Sequence, residues 1–232
     1  MLTRYPKQQL GSADHGWLKS LFHFSFADYY NPERMGFGAL RVVNDDLVAP
    51  GAGFEMHPHR DMEIISYVID GSLTHGDSLG NQNAISRGHI QYMSAGTGIM
   101  HSEHNRGNET LRFLQIWLKP DIKGLTPKYG DYGFKPEQRK NQLLQMVSPV
   151  SGTAPVRINT DANLYTIELD AGRSLEFPVL AGRQAYLVQV EGKAEINAIP
   201  LLPKDALASV EESLTIRAVE NCHVVILEMK KL

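Results

Sequence analysis

Two short patterns in this sequence have residue types and spacings that can do chemistry. One is His57-Pro58-His59 and the other is His101-Ser102-Glu103. Both fall in a cluster, since six of the nine histidines lie between residues 57 and 104. In an extended chain, residues two apart share a face and sit about 6.6 Å apart along the backbone. Each pattern therefore presents two donor side chains to one side. On adjacent antiparallel strands the two pairs would bring three imidazoles and one carboxylate to a single point, which is a metal-binding set of nitrogen and oxygen. Imidazole suits zinc, copper, iron and nickel, and a carboxylate adds tolerance for iron and manganese. Three His and one Glu amount to the two-His-one-carboxylate site of non-haem iron with one more imidazole. An octahedral ion held this way keeps two positions for water, substrate or oxygen. A tetrahedral zinc would be filled by the four. The residues leave the element open.

The remaining histidines are read as structural. His104 falls on the face opposite His101 and Glu103, toward solvent or behind the ligands. His75 and His89 flank the turn residues Gly76-Asp77 and Gly88, and His15, His23 and His223 are distant in sequence.

The elements that must position the four side chains read as strands. Gly51-Ala52-Gly53 precedes the first pair and Gly96-Thr97-Gly98 the second, and both suit bends at the mouth of a barrel. Pro58 fits an edge or bulge position. Short β-branched and aromatic runs recur between turn signals, as in sandwiches and barrels. Residues 64–69 form one, closed by Asp70-Gly71, and residues 111–118 another, closed by Lys119-Pro120. Residues 185–190, closed by Glu191-Gly192, and 223–228 repeat that order in the second half. The recurrence predicts an internal duplication of an all-β unit. Residues 1–118 are then a first domain and 151–232 a second. Between them, 119–150 is rich in Gly and Pro and reads as a linker with a short helix near Pro136 to Gln142. Aligned on the acidic-Gly turn, His57 and His59 correspond to Pro178 and Leu180, so the second unit cannot repeat the site.

Composition narrows the function class. The chain has 232 residues, 42% hydrophobic and 21% charged, with a net charge of -3. A chain of this size can bury about 72% of its unfolded surface, so neither a metal nor a disulfide is needed to hold the fold. With no basic excess, direct nucleic-acid binding is not expected. The single cysteine, Cys222, excludes an internal disulfide framework. No apolar leader and no membrane-spanning stretch is visible, so a cytoplasmic protein, a monomer without membrane contact, is expected.

The sequence resembles the pirins of the cupin superfamily, and in particular the bacterial pirin-like proteins with quercetin 2,3-dioxygenase activity. The resemblance rests on His23-Phe24-Ser25-Phe26-Ala27-Asp28-Tyr29-Tyr30, Arg34-Met35-Gly36-Phe37-Gly38 and Leu40-Arg41-Val42. It continues through His57-Pro58-His59-Arg60-Asp61-Met62-Glu63, Asp77-Ser78-Leu79-Gly80-Asn81 and residues 94–103. It is dense over about residues 20–118 and thin afterwards.

That resemblance implies an all-β bicupin of two antiparallel β-barrels, or jelly rolls, with one divalent transition metal in the N-terminal barrel and none in the C-terminal one. It assigns the ligands to His57, His59, His101 and Glu103, the set selected by strand alternation. It implies iron in function, with zinc, copper, nickel, cobalt or manganese as alternatives. The implied reaction is cleavage of flavonols such as quercetin by molecular oxygen with release of carbon monoxide. Glu103, the only carboxylate of the set, would act as base. The partners would be a small planar aromatic substrate and oxygen, in an apolar pocket for which Phe54, Met93 and Met100 are lining candidates. The alternative is a non-catalytic, redox- or metal-responsive regulator of the pirin type that acts through protein partners.

Overall fold

The structure, a computed structural model, describes residues 1–231. Among them the regular structure is β, with two 3-10 turns at Lys7–Gln9 and Pro136–Gln138. The strands of the first half are β1 Leu2–Tyr5, β2 Gly11–Asp14, β3 Leu18–Phe22, β4 Leu40–Val48, β5 Gly53–His59 and β6 Glu63–Asp70. They continue with β7 Ser72–Asp77, β8 Gln82–Ser86, β9 His89–Ser94, β10 Ile99–His104, β11 Leu111–Leu118 and β12 Lys128–Gly133. The second half has β13 Leu144–Pro149, β14 Val156–Ile158, β15 Ala162–Leu169, β16 Ser174–Phe177 and β17 Arg183–Glu191. It ends with β18 Ala194–Ile196, β19 Ile199–Leu201, β20 Ala206–Val210, β21 Leu214–Ala218 and β22 Cys222–Lys230. No helix among the described residues is long and apolar enough to cross a membrane.

Two compact units result. Gly11–Phe134 with Ile158–Thr160 form one, and Met1–Leu10, Lys135–Arg157 and Asp161–Leu232 form the other. The first contains a seven-stranded sheet in the order β12-β9-β6-β11-β4-β3-β2 and a four-stranded sheet in the order β5-β10-β7-β8. The second contains β1-β20-β17-β22-β15-β13-β14 and β16-β21-β18-β19. Strands β4 to β11 and β15 to β22 occupy the same places in the same chain order, so the duplication is written in the topology. The second unit packs Ile167, Leu187, Leu214, Ile216 and Ile226 into one apolar cluster. In the first, one cluster is built on Val68, Leu111 and Phe113 and another on Ile64, Met93 and Ile99. Its interior also holds buried polar residues, Ser66, Gln91, Gln115 and Glu103 among them.

Several sequence expectations change in detail. The stretch 119–150 is no free linker. It contributes β12, paired with β9 in the first unit, and β13, paired with β15 in the second. Glycine suits β12 because the ring of His89 lies 2.8 Å from where a Gly133 Cβ would stand. The expected helix after Pro136 is a single 3-10 turn. The Gln138 side chain caps it by accepting from the Lys135 N–H at 2.8 Å, and Asn141 at φ 54° ends any continuation. The first ten residues pack with the second unit, where β1 pairs with β20 and Arg4 bonds Asp205 at 2.6 Å. Finally, β16 and β21 are the counterparts of the strands that carry the histidines. They bury Phe177, Leu214 and Ile216, and Pro178 and Leu180 lie beyond the end of β16.

Candidate metal centre

Strand β5 is the edge of the four-stranded sheet and β10 is its antiparallel neighbour. A proline at position 58 is tolerated there because an edge strand can leave one N–H side unpaired. The register sets His101 directly opposite His57 and Ile99 opposite His59. Between His101 and Glu103 the register shifts, so that Glu103 stands opposite Phe54. Such a bulge re-aims side chains near a site. The glycines before each pair are required by geometry. A Cβ on Gly53 would lie 2.5 Å from the Glu103 carbonyl oxygen, and one on Gly96 would lie 1.9 Å from that of Leu125.

The three imidazoles converge. Their ring centroids are 4.5 Å apart for His57 and His101, 4.8 Å for His59 and His101, and 4.9 Å for His57 and His59. One nitrogen from each lies within 4.8 Å of the other two. His57 Nδ1 donates to the Glu55 carbonyl oxygen at 2.7 Å, which leaves the lone pair on Nε2. His59 Nε2 and both ring nitrogens of His101 are buried without a hydrogen-bond partner. An unsatisfied buried polar group costs about 1–3 kcal/mol, and a cation between the rings would take one nitrogen from each of the three imidazoles. Burial, reinforced by His101 and His57, holds His59 down to about 4. Burial, reinforced by His57 and His75, holds His101 down to about 3. Both are therefore neutral at neutral pH, the form a metal takes. The donor set fits a divalent transition metal.

Glu103 is not part of that triangle of atoms. Its carboxylate lies beside it, buried, within the electrostatic reach of His59. Three donors hold it: Ser66 Oγ at 2.7 Å and Gln91 Nε2 at 2.5 Å on Oε1, and Gln115 Nε2 at 2.6 Å on Oε2. Ser66 pairs in register with both Gln91 and Gln115, so the cradle is one row across three strands, β9, β6 and β11. Two of its members are visible in the sequence as interruptions of apolar runs. Ser66 is flanked by Ile64-Ile65 and Tyr67-Val68, and Gln115 by Phe113-Leu114 and Ile116-Trp117.

The other histidines fall near their expected roles, with two exceptions. His75 is buried, bonded to Asp77 Oδ2 at 2.9 Å and stacked on Tyr129 at 4.2 Å, with its ring 5.5 Å from His101. It packs behind the centre, outside the triangle. His15 lines the cavity described next. His104 approaches Glu55 at 3.8 Å, and His223 is buried against Thr166 at 2.9 Å in the second unit.

A cavity of about 620 Å³ opens on the triangle and is lined by His57, His59 and Glu103. Its walls are aromatic, from Trp17, Phe22, Phe26, Phe54 and Trp117, and its floor carries Ser20, Asn44, Asp46 and Gln115. Of the expected lining residues, Phe54 is there. Met93 is in the core cluster with Ile64 and Ile99, and Met100 is exposed. Trp117 meets His59 edge-on at 4.8 Å. The cavity can hold a flat, largely apolar molecule of drug size against a metal.

Comparison with known proteins points the same way. The family model described as Pirin matches residues 4–118, and that described as Quercetinase C-terminal cupin domain matches 145–229. The latter extends the likeness into the half where motifs were thin. A quercetin 2,3-dioxygenase of Escherichia coli K12 is 40% identical over 231 residues, 99% of each chain. A pirin-like protein of Caulobacter vibrioides is 43% identical over 230 residues, 98% of this chain and 99% of its own. The crystal structure of YhhW from Escherichia coli superposes with a TM-score of 0.95 at 37% identity, covering 100% of this chain and 99% of its own. The same bacterial pirin in complex with nickel(II) gives 0.94 at 37% identity over the whole of both chains.

Proposed function

The chain belongs to the pirin family of the cupin superfamily, and from that premise we propose that it is a metal-dependent dioxygenase that cleaves flavonols such as quercetin with molecular oxygen and releases carbon monoxide. The observation that carries the reading is the triangle of imidazoles at the wall of an aromatic cavity, with buried, unpartnered nitrogens on His59 and His101 and one buried carboxylate beside it. His57, His59, His101 and Glu103 would hold one divalent ion, iron in function. A relative with nickel bound supports a single divalent site.

When bound, the ion supplies Lewis acidity to an oxyanion and a place for the oxygen chemistry. The remaining work falls to residues of this chain. Trp17, Phe54 and Trp117 enclose the flat rings and exclude bulk water. Glu103, oriented by Ser66, Gln91 and Gln115, takes the proton of the flavonol 3-hydroxyl on a carboxylate oxygen. A reducing cytoplasm suits this ligand set, which has no thiolate. Cys222 is buried in the core of the second unit, away from the chemistry.

Oxygen consumption with quercetin, on metal-stripped protein and on protein reconstituted with iron, copper or nickel, tests the proposal. Oxygen-dependent loss of the flavonol absorbance that chelation abolishes and metal restores is the expected result. No turnover with any of the metals would reject the enzyme and favour the protein-binding regulator.

A further inference from the structure

The row of polar residues that cradles Glu103 does not end at the carboxylate. Gln91, Ser66 and Gln115 are successive register partners, and the next partner of Gln115 across the sheet is Asn44 on β4. Asn44 is thus one strand spacing, about 4.8 Å, farther along the same face. It is 3% exposed, it lines the cavity, and its Oδ1 has no hydrogen-bond partner. Two residues along β4, and so on the same face, Asp46 is also buried and lines the cavity. Its Oδ1 accepts from Ser20 Oγ at 2.5 Å. A sheet floor under aromatic walls ordinarily carries apolar residues at such positions. Here it carries an amide oxygen and a carboxylate, both acceptors, and a buried acceptor left without a donor costs about 1–3 kcal/mol.

We propose that Asn44, with the Asp46–Ser20 pair beside it, is a specificity subsite that accepts hydrogen bonds from hydroxyl groups on the ring of the substrate remote from the metal. The inference rests on the flavonol reading and sharpens it. The site would select polyhydroxylated aromatics over equally flat ones without those hydroxyls. Glu103 and Asn44, at two places on one polar row, would then meet the two ends of the same ligand. The Asn44 Oδ1 is covered, so a turn of its side chain would present it to a hydroxyl, and a ligand without that hydroxyl would leave it unpaired, which is how a pocket turns a missing hydroxyl into a loss of affinity.

The molecule contains its own probe. It has two tryptophans, Trp17 and Trp117, and both line this cavity. Quenching of their fluorescence under anaerobic conditions reads occupancy without turnover. The test compares quercetin with 3-hydroxyflavone, which keeps the metal-binding end and lacks the other hydroxyls, on metal-loaded wild-type, Asn44→Leu and Asn44→Asp proteins. Wild type should prefer quercetin by about tenfold, one hydrogen bond's worth. Asn44→Leu should lose that preference through weaker quercetin binding alone, and Asn44→Asp, which keeps an acceptor, should retain it. Thermal melts report whether the variants fold, and Asn44→Ala, which also lacks the acceptor, replaces the leucine variant if that one does not. An undiminished preference in the variant without the acceptor, or equal weakening of both ligands, overturns the subsite and leaves the enzyme reading standing. No quenching of wild type by either compound overturns the flavonol reading itself, and the subsite with it.

Discussion

At the residue scale the centre separates two jobs that the sequence pattern merges. His57, His59 and His101 form the nitrogen triangle, whereas Glu103 is held by three hydrogen-bond donors beside it. Removing Glu103 should therefore affect turnover more than metal content. In Glu103→Gln we expect metal occupancy to fall by about tenfold at most and turnover by about a hundredfold or more. Metal analysis alongside steady-state kinetics checks both, and wild-type turnover in fully loaded variant protein would remove Glu103 from the base role. His101→Ala, by contrast, should abolish metal uptake, since His101 belongs to both close pairs of the triangle. Strand alternation was enough to pick His57, His59 and His101 because two of them share one strand at period two. It was blind to Gln91 and Asn44. Each sits among residues of mixed polarity, and only the pairing of distant strands shows that they form a row.

At the element scale the site depends on how β10 is delivered to β5. The turn Ala95-Gly96-Thr97-Gly98 does this, with Gly96 at φ 45° and the Leu125 carbonyl oxygen in the place a Cβ would need. Gly96→Ala should cost at least about 2 kcal/mol, from the left-handed backbone together with a backbone clash that no rotamer relieves. Metal affinity should fall with it, because β10 carries His101. Gly98 is the control. Its φ of 137° disfavours a side chain, but no atom stands within 4 Å of the position a Cβ would take. Gly98→Ala should be the milder change in denaturant unfolding and in metal titration alike. The Gly-rich character of this turn was plain in the sequence. What the sequence did not display was the partner of the turn, since Leu125 lies in a stretch that reads as linker. Similarly, the Gly and Pro of residues 119–150 pointed away from regular structure, yet β12 forms there as the edge of its sheet, where such residues are tolerated, and β13 forms between β15 and β14 with its proline only at its last position.

At the scale of the whole molecule the duplication was readable, because strand-turn order survives even where side chains have diverged. The path of the chain was not readable. Met1–Leu10 serves the second unit through pairings about two hundred residues apart, which no local pattern encodes. Arg4→Ala, which strips a partner from the buried Asp205, should cost about 2 kcal/mol in unfolding of that unit and leave metal affinity unchanged. The response to acid belongs to this scale too. His23 is buried in the first unit, outside the imidazole triangle, and burial holds it down to about 4 from 6.5, against the pull of Asp45. The unfolded chain therefore takes up a proton, between pH 6.5 and 4, that the folded chain refuses. A depressed folded value means that the stabilisation is complete above about pH 6.5. It is lost progressively as the pH falls and stops changing below about 4. The total from this one residue is about 3 kcal/mol. In chelator-treated protein His59 and His101 add slope of the same sign, since both are held low as well. Urea unfolding of wild type and His23→Gln at intervals across this range separates the contributions. The variant should lose up to about 1.4 kcal/mol per pH unit of slope, and equal slopes in the two proteins would mean that His23 is already protonated in the folded chain.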